Sequence, residues 1–232
     1  LIVLAFSAWV LADATDNEIF LEQSGDTLTL TIDQVGFGNK FCGTISSGAC
    51  ASDMMITGSN ITFNVDQIGN SNQLYGPIVL SNSNIDMVFT GDSNVYDWNI
   101  GGNSAASNLD LDLTVTGSSN SWNVDIGANQ SATFLNYDLT LTGDSNVFTT
   151  VVDSSNVKWD WTITGGNNDI NTLQKDADQL LTAEFSGSDG DIDIVQQSGT
   201  CPQGTSSCSG IINLDITSDD ATVTINQKDS GD

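Results

Sequence analysis

One short turn motif recurs along the chain, and that recurrence restricts the fold more than any bulk property does, because internal repeats of this length stack on one another. It reads TGSN at Thr57, TGDSN at Thr90, TGSSN at Thr116, TGDSN at Thr142 and TGGNN at Thr164. Weaker forms stand at Ser24 (SGD), Ser186 (SGSDG) and Thr217 (TSDD). Eight turn positions follow: Gly25, Gly58, Gly91, Gly117, Gly143, Gly165, Gly187 and Ser218.

Apolar residues flank these turns at a period of two. Two residues before the turn stand Gln23, Ile56, Phe89, Val115, Leu141, Ile163, Phe185 and Ile216. Five after it stand Leu30, Phe63, Tyr96, Trp122, Phe148, Ile170, Ile192 and Val223. Polar residues separate the columns, so each unit reads as strand, turn and strand with one face of both strands buried. The predicted fold is all-β, a β-solenoid of about eight stacked strand-turn-strand repeats. Length variation collects in the return loops between units, as it does in repeat architectures.

The position nine after the turn holds Gln34, Gln67, Gln174, Gln196 and Gln227, with Ile100, Ile126 and Val152 between. A lone amide on the inward parity of an apolar strand costs free energy. Stacked in register, each amide donates to one neighbour and accepts from the other, so these glutamines are read as a structural ladder. Ser or Thr precedes all eight turn positions, which predicts a hydroxyl ladder on the outward face. A hairpin reading of Gly91 to Asn94 also fits: it pairs Phe89 with Tyr96 and Met87 with Trp98 on one face, giving an antiparallel meander, sandwich or barrel.

Composition narrows the function. Four Lys+Arg stand against thirty Asp+Glu, a net charge of −26, with no His. Such a surface lacks the basic footprint that nucleic acid and anionic lipid require. Without His, triad hydrolases and His-dependent metal catalysis are disfavoured. A carboxylate-dependent glycan enzyme on a β-helix scaffold is the alternative, since two acids suffice for that chemistry, but spacing nominates no pair.

Leu1 to Leu11 is apolar and Ala12-Asp13-Ala14 resembles a signal peptidase site, so residues 1–14 are read as a secretory signal lacking its start. Residues 15–232 are then one β-repeat domain, exported, with no membrane-length segment. The chain stops where a further unit would begin, and a fragment is expected. In an exported chain, Cys42 with Cys50 and Cys201 with Cys208 are read as disulfides that close two loops.

Gln23-x-Gly25 followed by Gln34, and Gly-x-x-Asn at Gly91–Asn94, Gly117–Asn120, Gly143–Asn146 and Gly165–Asn168, resemble the curlin repeat of bacterial surface fibres. That repeat runs roughly Gln-x-Gly-x-x-Asn, with a second Gln about eleven residues on, in units of about twenty-two residues. The resemblance implies a solenoid, export, and assembly into adhesive amyloid-like fibres. The core here is bulkier than a curlin's, with Trp98, Trp122, Trp159, Trp161, Phe89 and Phe148 on the columns.

Asp53, Asp86, Asp112, Asp138 and Asp160 stand five before a turn and predict a stacked acidic face, with weak calcium binding as its sharpest reading. No cofactor and no catalytic residue is assigned. The expected role is that of a structural or adhesive protein outside the cell or on a cell or virion surface. Its expected partners are its own copies or a surface.

Overall fold

The computed structural model describes residues 17–19, 21–36, 38–44, 50–69, 72–100, 107–127, 132–175, 179–197 and 210–228. The expected signal segment 1–14 and the Cys201–Cys208 pair lie outside them. Every regular element among the described residues is a strand: β1 (Asn17–Ile19), β2 (Glu22–Ser24), β3 (Thr29–Val35), β4 (Asn39–Phe41), β5 (Met55–Ser59), β6 (Thr62–Ile68), β7 (Gln73–Thr90), β8 (Val95–Ile100), β9 (Ser107–Thr116), β10 (Ser121–Ile126), β11 (Ala132–Thr142), β12 (Val147–Thr164), β13 (Asp169–Lys175), β14 (Gln179–Gly187), β15 (Asp191–Gln197), β16 (Gly210–Ser218) and β17 (Thr222–Lys228).

All pairing is parallel, which sets aside the hairpin reading and makes the chain a β-solenoid. One ladder runs β3, β6, β7, β9, β11, β12, β14, β16. We call it ladder A. The opposite ladder, B, runs β1, β4, β7, β8, β10, β12, β13, β15, β17, with β2 and β5 completing its first rungs. β7 and β12 turn the corner between ladders without a break. Residues 73–78 of β7 pair in ladder B, whereas 84–90 pair in ladder A.

Strict alternation makes the core. β10 reads exposed, buried, exposed, buried along Ser121, Trp122, Asn123 and Val124, and β9 buries Leu109, Leu111, Leu113 and Val115. The two inward faces meet in an aromatic interior. Tyr96 stacks on Trp122 at 3.8 Å, Trp159 on Trp161 at 4.7 Å, and Phe148 meets Trp161 edge-on at 5.4 Å. Burial of such rings contributes about 1.5–3 kcal/mol each, which is where most of the stack's stability resides.

The turn edge corrects the expected register. Gly36, Gly69, Gly91, Gly117, Gly143, Gly165 and Gly187 stand above one another, and each of the last six lacks room for a Cβ because the preceding glycine's carbonyl lies against it. Gly25 and Gly58 stack on each other at the opposite edge, below Leu80. The count of eight like units therefore does not hold. Five glycines of the expected column, from Gly91 to Gly187, share one edge, and the first two are displaced by half a rung. The physical cause is that Gly25 to Gly36 and Gly58 to Gly69 are each one strand long, so the first two rungs carry a glycine at both edges.

Asn residues finish these turns. Asn94, Asn120, Asn146 and Asn168 are buried, and the backbone N–H of each of the first three donates to the side-chain oxygen of the next, at 2.8–2.9 Å. Asn94 Nδ2 and Asn168 Nδ2 also donate to Gly91 O and Gly165 O, closing their own turns. The column ends at Gly190 and Ala221, where a small cavity opens beside Asn168, Gly187 and Ile192.

Two substitutions follow. Gly117 has φ +143°, and its Cβ would stand 1.9 Å from Gly91 O. Gly117→Ala should therefore lower unfolding free energy by at least about 2 kcal/mol, read by chemical denaturation. A Cβ on Gly190 meets only Asn168 O, at 3.4 Å. Gly190→Asn should extend the asparagine column and add about 0.5–2 kcal/mol in the same assay.

Candidate functional site

The glutamines expected in one column fall into two. Gln34 and Gln67 lie in ladder A, capped by Phe89. Gln174, Gln196 and Gln227 lie in ladder B, above Ile78, Ile100, Ile126 and Val152. The amide chemistry is as expected within each group. Gln67 Nε2 donates to Gln34 Oε1 at 2.5 Å, Gln196 Nε2 to Gln174 Oε1 at 2.5 Å, and Gln227 Nε2 to Gln196 Oε1 at 2.8 Å. All three bonds run the same way, from the later residue to the earlier. Gln23 begins ladder B's column below Ile56.

The outward face of ladder A carries the hydroxyl and acidic ladders. Thr90, Thr116, Thr142, Thr164, Ser186 and Thr217 succeed one another. Asp86, Asp112, Asp138 and Asp160 do likewise, at the rung spacing of about 4.8 Å. Asp53 is not among them: it precedes β5, at φ +62°, within the insertion that separates β4 from β5. Amides relieve part of the repulsion, with Asn136 Nδ2 donating to Asp110 at 2.8 Å, and Lys158 lies 3.7 Å from Asp160.

Burial first, then the charges of Asp110, Asp138 and Asp86, hold the Asp112 carboxyl above its ordinary range. Asp125 on the other face is raised for the same first reason, with Lys175 pulling it down. Asp26 goes the other way, because the Ser59 hydroxyl and N–H bind its carboxylate. Burial also drives the phenols of Tyr96 and Tyr137 well above their usual value, so both stay neutral.

Among the described residues no three His, Cys, Asp or Glu side chains are grouped to hold a metal ion. The acids of the face stand side by side along the stack, including Glu184 beside Asp215 in an open groove with Asp160 and Thr182. Trp98, Trp122, Trp159 and Trp161 are fully buried and form no exposed platform. Cys42 and Cys50 are joined, with Cα atoms 5.8 Å apart, and close the insertion between β4 and β5. No helix among the described residues is long and apolar enough to cross a membrane.

The outermost described rungs are only partly covered. At one end Ile19, Leu21, Leu28 and Leu30 are only partly buried; at the other, so are Ile212, Leu214 and Ile216. Val223 and Ile225 of β17 are exposed, Ile225 to 49%. Their inward parity was readable from the alternation. That no described strand covers them is visible only from the level of each strand in the stack.

A carboxyl raised above its unfolded value destabilises the charged native state, and that loss is relieved as pH falls through the raised value. Asp112→Asn should therefore raise the melting temperature at pH 7 by a few degrees. It should also shrink the rise in melting temperature expected of the parent chain as pH falls through the raised value towards the ordinary 3.8 of an aspartate, followed by thermal melts across the acid range.

No family model, curated protein or solved structure matches this chain.

Proposed function

We propose that this chain is a non-catalytic structural or adhesive repeat protein of the curlin type, exported and displayed outside the cell or on a cell or virion surface. Its mechanism is to present rigid ladder faces and to offer the edges of its outer rungs to further copies. The observation that carries this reading is the pair of outer rungs whose inward apolar residues and backbone edges have no covering strand among the described residues. Solenoids that stay monomeric need polar caps at such ends, and an open strand edge is a template for another strand.

Two further features support it. Gln34-x-Gly36-x-x-Asn39 and Gln67-x-Gly69-x-x-Asn72 each match the Gln-x-Gly-x-x-Asn half of the curlin pattern, with Ile45 and Ile78 where its second glutamine would stand, and in both the asparagine amide reaches back to the glutamine's own carbonyl, at 3.3 and 3.4 Å. The Cys42–Cys50 disulfide suits an oxidising, extracytoplasmic setting. The carboxylate-dependent enzyme would need acids facing one another across a cleft, whereas these acids line one strand face.

Purified chain incubated at increasing concentration and salt should form unbranched fibres in negative-stain micrographs, bind thioflavin, and grow faster when seeded. Persistent monomers under all these conditions would overturn the reading.

A further inference from the structure

The two outer rungs are complementary, but not in the orientation that simple translation gives. The first described rung runs ladder B first (β1 and β2), then the turn at residues 25–28, then ladder A (β3). The last runs ladder A first (β16), then the turn at 218–221, then ladder B (β17). A second copy added by translation alone would set β1 and β2 on β17 and Gln23 on Gln227. Ladder A would then lack a strand, leaving β16 and the incoming β3 two rung spacings apart, about 9.6 Å instead of about 4.8 Å.

Turning the second copy by half a revolution about the long axis removes that gap. Its β1 and β2 then continue β16, and its β3 continues β17. We propose that copies of this chain join end to end in this half-turn register, a proposal that rests on the assembly reading above and specifies its geometry.

The inward residues agree at most positions, and Gln23 falls on Ile216 much as it falls on Ile56 within the chain. Ile19 and Leu21 of the added copy fall on Ile212 and Leu214, and its Leu30 and Ile32 fall on Val223 and Ile225, covering half-exposed apolar groups with apolar groups. The turns agree as well. Gly25 at φ +147° and Thr27 at +61° repeat the backbone of Gly91 at +147° and Ser93 at +60°, so the turn at 25–28 has the shape that stacks elsewhere in the molecule. In those stacks an Asp one residue past the glycine accepts the N–H of the next turn: Asp26 from Ser59 at 2.9 Å and Asp92 from Ser118 at 2.7 Å. Asp219 of β17's turn stands at that same position.

The glutamines supply the sharpest match. In the half-turn register Gln34 of the added copy lands on Gln227, so the two short ladders become one: Gln174, Gln196, Gln227, then Gln34 and Gln67 of the next copy. The donation runs the same way throughout, because Gln227 gives its Nε2 hydrogen to Gln196 and Gln67 gives its own to Gln34. Gln34 Nε2 holds Lys40 O with one hydrogen, at 3.1 Å, and has a second for Gln227 Oε1. The same register sets Glu22 against Asp215 and Asp26 against Asp219, so joining is opposed by like charge and promoted by salt.

Cysteine pairing tests the register directly. Chains carrying Asn226→Cys are mixed with chains carrying Asp33→Cys, its neighbour after the half turn, or Glu22→Cys, its neighbour after translation, then oxidised mildly beside the unsubstituted chain. The Asp33 mixture should give about tenfold more cross-linked dimer on non-reducing gels, since a disulfide forms only where Cα atoms approach within about 7 Å. Preferential cross-linking in the Glu22 mixture, or equal yields in both, would overturn the half-turn register while leaving assembly standing if fibres are seen. No fibres and no cross-link would remove both. As an independent check, Gln227→Leu or Gln34→Leu should each slow seeded growth about tenfold by leaving one amide unpartnered, and the two together should recover part of that loss. Single and double variants growing at the parent rate would also overturn the joined ladder.

Discussion

Hydrogen bonds directed along the long axis hold this molecule in register, and its other ladders exist because those bonds fix the level of every residue. At the turn edge Gly91 N–H donates to Thr116 O at 2.9 Å, Gly117 to Thr142 at 2.9 Å and Gly143 to Thr164 at 2.9 Å. A side chain at any of these glycines would meet the carbonyl of the turn before it. Backbones that approach this closely leave no freedom for slippage, so amide meets amide, hydroxyl meets hydroxyl and carboxylate meets carboxylate. Register is thus decided at the edge, where one atom too many cannot be accommodated, and the apolar interior fills the space that this edge defines.

That arrangement also explains how a chain with a net charge of −26 stays folded. Stacked like charges at about 4.8 Å cost roughly 0.9 kcal/mol per pair in water before screening. Each rung offsets this with several buried large side chains. The acids that accept backbone N–H groups at the turns, Asp26, Asp92 and Asp144, contribute bonds as well as repulsion. Charge on this surface is distributed so that part of it is structural.

Much of this was legible in the sequence because strands alternate. The period-two columns placed Trp98, Trp122 and Trp161 inside and Asp86, Asp112, Asp138 and Asp160 on one outward column, where the fold holds them. What misled was glycine. Gly25 and Gly58 make turns like the rest, but a turn at one edge of a two-strand rung looks in sequence like a turn at the other. The asparagine three residues on distinguishes them: Gly36 and Gly69 have it in Asn39 and Asn72, whereas Gly25 and Gly58 are followed by Leu28 and Ile61. Half a rung of displacement then divided one expected glutamine column into two. Asp53 was misplaced for a related reason, since it belongs to an insertion that counting from Gly58 made look like strand.

That insertion shows what the architecture tolerates. Between β4 and β5 the chain leaves ladder B in mid-strand and returns to it, and the thiol bridge pins the two departing arms 5.8 Å apart at their Cα atoms, close to the spacing of adjacent strands. The scaffold is therefore modular sideways as well as lengthwise, and a foreign epitope or binding peptide spliced there would be carried at a fixed height on the column without altering how the column is built.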